Sequence, residues 1–347
     1  MKTRNLALGL LAGTLFGASI ASTAMADAVL KFGHDTKADP YDNPAHACAA
    51  VFANIVEADT NGSIKVEIFP TAQLGTATEH VQLVRDGVIQ ATLSSTGPLA
   101  SYYPRIDVLN LPFAFDSNAA TYEVFDGPFG EALASDIEDT LGDVVVLGFP
   151  DTGGFFAVTN SRRKIEKLAD FENVRIRTMT LPSHQTIVQA LGAEAYPLPW
   201  GEVYSALQTK VIDGQMNPIP IIAFSNFSEV QQYLTLTNHL FSPYTFILNK
   251  SFWDGLEPGQ QRILGYAATS CIAASRGLSR IIEASDRGLA GLKKEMEVTA
   301  FTADERAAMK AATQPAFEAH VEANLDQKAG ELLSLMKERL ERANGTH

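Results

Sequence analysis
Hydrophobic and polar positions alternate with a period of two in several short runs. Ile64, Val66 and Ile68 alternate with Lys65 and Glu67 and stop at Pro70, and Val174, Ile176 and Thr178 alternate with Arg175 and Arg177. Each run predicts a strand with one face toward a core. Val29–Gly33, Ala91–Ser94 and Val144–Leu147 read as further strands, the last of them buried. Between them the period changes. Cys48, Val51, Phe52, Ile55 and Val56 recur at helical spacing and predict a helix over Ala45–Glu57. Helices are also predicted over Glu79–Asp86, closed by Gly87, and over Glu202–Val211, stopped near Gly214. Strands alternating with helices mean α/β units, with largely parallel pairing.

The last third changes character. From Pro258 to about Leu292 the pattern is helical and rich in Ala, Ile and Leu, interrupted only by glycines. A helix of about thirty residues spans roughly 45 Å, enough to bridge two domains. Further helices follow to the C-terminus, and no internal repeat is present.

The N-terminus does not belong to this pattern. Met1-Lys2-Thr3-Arg4 is followed by an apolar run from Leu6 to Ile20 and then Ala24-Met25-Ala26. A charged start, an apolar stretch and an A-x-A site read as a secretory signal peptide cut after Ala26. The alternative, an uncleaved anchor, is disfavoured by a short run interrupted at Gly9, Gly13 and Gly17. Removing Lys2 and Arg4 leaves 25 basic against 40 acidic residues, a net charge of −15. Such an acidic chain is poorly suited to nucleic acid or anionic lipid. A length of 347 residues, 46% of them apolar, fits two domains and excludes disorder. Cys48 and Cys271 each sit among small apolar residues and read as packed free thiols, although an oxidising compartment would permit a disulfide.

Catalytic signatures are missing. There is no G-x-G-x-x-G, Walker A, G-x-S-x-G or H-E-x-x-H sequence, and the seven histidines are scattered. His184 and His239 are the candidate bases for an exported hydrolase of small acids. An exported two-domain α/β chain without a nucleophile motif suggests a binder instead, with no metal or nucleotide cofactor.

Residues 174–239 carry the most information. Arg177 ends a strand whose alternate residues face a core. Ligands of open α/β sheets collect beyond the carboxyl ends of strands. A planar, permanently charged fork there suits a carboxylate. Trp200 follows Pro199 at a helix start and offers a flat wall. Asn217, fixed by Pro218, can both donate and accept.

With its motifs in order, the chain resembles the periplasmic solute-binding subunits of TRAP transporters, the C4-dicarboxylate-binding type. The resemblance is carried by Val66–Gly75 (VEIFPTAQLG), Ser95–Leu99 (STGPL), Leu111–Phe115 (LPFAF), ALQTKVIDGQMNP ending at Pro218, EVQQYLTLTNH ending at His239, and Phe246–Trp253 (FILNKSFW). It implies two α/β lobes with a ligand cleft between them, bridged by a long C-terminal helix. The expected boundaries are 27–154 plus about 243–282 for the first lobe, and about 155–242 plus 283–347 for the second. It also implies that Arg177 binds a ligand carboxylate, that Asn217 closes over the same ligand, and that Trp200 lines the site. Asp35, Ser95 and Thr96 are further ligand-binding candidates. Phe155, Phe156, Phe241 and Tyr244 are core aromatics by default, with pocket lining as their other reading. The implied partners are a small organic acid and the membrane permease of a TRAP transporter; a sensory role presenting the ligand to a receptor is the alternative.

Two departures from the family stand out. Met216 occupies a position that is usually Glu, which is expected to alter polarity near the pocket. A second Arg used by sialic-acid binders falls at Ala157, so sialic acid is disfavoured and an apolar or aromatic ligand body gains ground.

Overall fold
The computed structural model describes residues 28–345, so the signal-peptide reading concerns residues that lie outside the described ones. The eleven strands among the described residues are β1 (Ala28–Gly33), β2 (Ile64–Phe69), β3 (Ala91–Ser94), β4 (Val144–Gly148), β5 (Phe156–Asn160), β6 (Arg175–Thr178), β7 (Glu194–Pro197), β8 (Gly214–Pro218), β9 (Tyr233–Leu236), β10 (Thr245–Asn249) and β11 (Glu297–Ala300). They form two sheets, one ordered β2-β1-β3-β10-β4 and the other β11-β9-β5-β8-β6-β7. Each sheet with its helices makes one lobe of an α/β fold.

Pairing is mixed rather than largely parallel. β1 runs parallel to β2 and β3, and β6 runs parallel to β7 and β8. The strands that arrive late or from the other lobe reverse the direction. β10 is antiparallel to both β3 and β4, and β5 is antiparallel to β8 and β9. Local alternation sets which face a residue takes but leaves its neighbour strand open, so this reversal had no local signal. β4 is also less covered than expected, with only Val144 buried.

One face of the first sheet packs on two helices. The helix Pro44–Asp59 is capped by Asn43, whose side chain accepts from the Ala45 amide, and Pro44 sits where a missing N–H costs nothing. Its Phe52 meets Phe32 and Phe246 of the sheet at ring separations of 5.8 and 5.1 Å. The second helix is the long one, Pro258–Glu283, 26 residues rather than about thirty. It ends at Ala284, and the next helix, Leu289–Glu295, starts behind Gly288, where any side chain would strike the Ile282 carbonyl. Where the two helices pack together, Cys48 and Cys271 are joined in a disulfide, which corrects the reading of free thiols. Both cysteines are fully buried and 223 residues apart, so their neighbours in sequence gave no sign of the pairing.

The C-terminal helices divide between the lobes. Ala303–Asn324 lies on the second-lobe helix Pro182–Ala190, whereas Gln327–Asn344 returns to the first-lobe helices Asn118–Asp126 and Pro128–Leu141. The returning helix was expected with the second lobe. Its apolar stripe of Leu332, Leu333, Met336 and Leu340 is buried in the core that it shares with Leu133 and Ile137.

Candidate functional site
A cavity of about 310 Å³ lies between the lobes. The first lobe contributes the loop after β1 and the segments after β2 and β3; the second contributes the ends of β6, β7 and β8. Thr152 and Tyr244, on the two segments that cross between the sheets, line it as well.

Arg177 stands on β6 with Ile176 in the core behind it, and only 4% of its surface is exposed. Parallel pairing of β6 with β7 brings the Leu198 carbonyl within reach. Arg177 Nε and Nη2 donate to that oxygen at 3.0 and 2.7 Å. Of five N–H bonds, three remain for another acceptor. Among the described residues no carboxylate pairs with it, unlike Arg175, which is tied to Asp213 at 2.7 Å. Burial lowers Arg177 to about pKa 10, with Asp35 opposing that fall, so the group stays charged at neutral pH.

Asp35 follows β1 and keeps part of its surface open to the cavity. Crowding by surrounding protein raises its carboxyl to about 6, while its own amide and Arg177 pull it down. The loop that holds it is itself anchored. Thr71 and Ala72 both adopt positive φ, 52° and 55°, and their amides donate to the carbonyls of Thr36 and His34. Such a backbone is strained for a β-branched residue and persists only where its surroundings fix it.

Asn217 is on β8, with its amide nitrogen donating to Gln215 Oε1 at 2.6 Å. Gln215 donates to Thr159, and Thr159 to Gln231, so a buried polar chain sets the Asn217 rotamer. Its carbonyl oxygen and second N–H are left for a ligand. Trp200, half-buried, leans on Phe227 with ring centroids 5.9 Å apart.

Five of the six candidates, Asp35, Ser95, Arg177, Trp200 and Asn217, therefore line one cavity. Thr96 does not: it is fully buried and its hydroxyl meets Ser242 at 2.9 Å. The chain turns from β3 into the helix Thr96–Ala100 at this point, which sends successive side chains to different surroundings. Phe156 and Tyr244 line the cavity, whereas Phe155 and Phe241 pack in the core beside it. Met216 corrects another expectation. It points to the opposite side of β8 from Asn217, into the core, with its sulfur 3.3 Å from His239 Nε2, so it leaves the polarity of the cavity unchanged. His184 and His239 do not line the cavity, and burial drives both down to about pKa 3. Thr71, Thr78, Met179, Thr180 and Ile221 line it without having been singled out. Thr71 lies within the VEIFPTAQLG motif, which was the available signal.

Gly97 marks where the lobes meet. A side chain there would approach Met179 Cβ, across the cleft, to 3.0 Å.

The model of the bacterial extracellular solute-binding proteins, family 7, matches residues 32–324. The chain belongs to that family. It is 30% identical over 321 residues to the C4-dicarboxylate-binding periplasmic protein of Rhodobacter capsulatus, covering 91% of this chain and 93% of the relative. A sugar acid binding protein of Advenella mimigardefordensis, solved with galactonate, superposes with a TM-score of 0.83 at 31% identity, covering 91% and 99% of the two chains. A TRAP periplasmic solute binding protein of Desulfovibrio salexigens with bound orotic acid gives 0.84 at 28% identity, again covering 91% and 99%. In this family 7 protein two lobes face each other across the cavity.

Proposed function
We propose that this family 7 protein captures a small organic acid anion in the periplasm and delivers it to the membrane permease of a TRAP transporter. Arg177 takes the carboxylate, Asn217 and Ser95 bond the ligand from opposite lobes, and Trp200 lies against its body. The observation that carries this reading is a buried guanidinium, without a carboxylate partner among the described residues, opening into an interlobe cavity. A buried charge left without an anion is unfavourable, and a carboxylate ligand relieves that cost only when both walls are in contact with it. Binding and lobe closure are therefore linked. The relatives' ligands, C4-dicarboxylates, galactonate and orotic acid, share one carboxylate and little else. The buried disulfide suits an oxidising compartment.

Titration calorimetry of the mature protein against organic acids tests the anchor. Arg177→Ala is expected to weaken the tightest ligand by about a hundredfold or more, close to 2.7 kcal/mol. Unchanged affinity would remove Arg177 from the site.

A further inference from the structure
With an acid anchored on Arg177, a premise taken from the function proposed above, the rest of the cavity decides which acid fits. Among the described residues its lining holds one cation, Arg177, and one anion, Asp35, supplied by opposite lobes. Among the described residues no salt bridge engages Asp35; its carboxylate takes a hydrogen bond from its own amide. Around it stand hydroxyls. Those of Thr71, Thr78, Ser95 and Thr180 line the cavity and have no protein partner among the described residues. Ser95 occupies the cap position of the helix Thr96–Ala100 yet makes no capping bond, so its hydroxyl is not spent on the backbone.

Three ligand classes fare differently here. A dicarboxylate would place its second carboxylate in a small cavity with no second cation and with Asp35 close by, where like charges oppose one another. An aromatic acid would stack on Trp200 and Phe156 but leave Asp35 and the hydroxyls stripped of water without partners. A polyhydroxylated monocarboxylate satisfies both needs. Its hydroxyls donate to Asp35 in charge-assisted bonds and exchange bonds with the threonines and Ser95, while its C–H faces lie on the two rings.

We propose that Asp35 is the specificity-determining residue of this cleft, selecting hydroxylated monocarboxylates of the aldonate or uronate type and rejecting dicarboxylates. Its carboxyl, held near pKa 6, is ionised at neutral pH and so acts as acceptor and repellent at once.

The test is calorimetry at pH 7.5 with three sets of probes: aldonates and uronates of four to six carbons, C4-dicarboxylates, and aromatic monocarboxylates. The wild type is expected to bind its best hydroxylated acid at least about tenfold more tightly than any member of the other sets. Asp35→Asn, with folding checked by its melting temperature, should lose about tenfold for that acid and gain for succinate. Should a dicarboxylate or an aromatic acid be the tightest wild-type ligand, the assignment of Asp35 falls, and the Arg177 anchor still stands if Arg177→Ala abolishes that binding. A margin over succinate unchanged in Asp35→Asn also overturns it. Failure of every probe to bind would sink the anchoring role and the selectivity together. The wild-type ranking decides the matter even where the variant does not fold.

Discussion

At the scale of single residues, the cleft keeps two charges in uncomfortable surroundings. Asp35 sits at about pKa 6 in the folded chain against an ordinary 3.8, chiefly because it is crowded by protein. The folded state thus binds more protons than the unfolded state between about pH 4 and 6. Stability from this group is fully present below that window and is lost as pH rises through 6. Asp35→Asn removes the charge, so the ligand-free variant should melt higher than wild type at pH 7.5, with the gain gone at pH 4. Equal differences at both pH values would refute this. The residues that carry this balance were partly legible. Arg177 and Asn217 follow from strand alternation and motif order, Trp200 from its place at a helix start, and Asp35 and Ser95 from the family resemblance alone. Thr96 was misplaced by one step, where strand becomes helix. Thr71 escaped because a threonine in a loop reads as turn chemistry, and Thr78 because it lies in the first turn of the helix Ala77–Arg85, ahead of the predicted start at Glu79; Thr71 and Ala72, both with positive φ, tie that loop to the Asp35 segment.

Among elements, the helix Pro44–Asp59 and the long helix form the outer layer of the first lobe. Phe52, Leu264, Ala267 and Ala268 pack there around the bridge between Cys48 and Cys271. Closing a loop of this size restrains the unfolded chain, and its removal typically costs about 2–5 kcal/mol. The Cys48→Ala, Cys271→Ala double variant should show a denaturant midpoint lowered accordingly, matched by wild type in reductant. A thiol titration of the unfolded, unreduced wild type should find no reactive cysteine; two would refute the bridge. Strands and helices were readable because each is a local pattern. Their partners were not, since β10 is inserted between β3 and β4 from a distance in sequence that no local period encodes.

For the molecule as a whole, the chain passes between the lobes four times: after β4, after β9, after the long helix, and between the last two helices. The first passage is held by Asp151, whose side chain is completely buried. Its Oδ1 accepts from the amides of Gly153 and Gly154 at 2.8 and 2.7 Å, both glycines having positive φ. Its Oδ2 accepts from Tyr122 at 2.9 Å and faces Arg280 of the long helix at 3.5 Å. Asp151→Ala strands these donors and leaves Arg280 without that anion, and should lower unfolding stability by about 3 kcal/mol. Asp151→Asn, which keeps an acceptor, should lose less. Denaturant melts check both, and a loss within error for Asp151→Ala would mean that this crossover is not a fixed seam.

The place of β10 also bears on synthesis. The first sheet lacks a central strand until residues 245–249 have left the ribosome, and its lobe lacks its last helix until the chain is nearly complete. Contacts so distant in sequence form slowly. A precursor read as destined for secretion therefore has no finished lobe to collapse into while it is being made. A chain that cannot close either lobe early would suit export in an unfolded state, the route that the proposed periplasmic role requires.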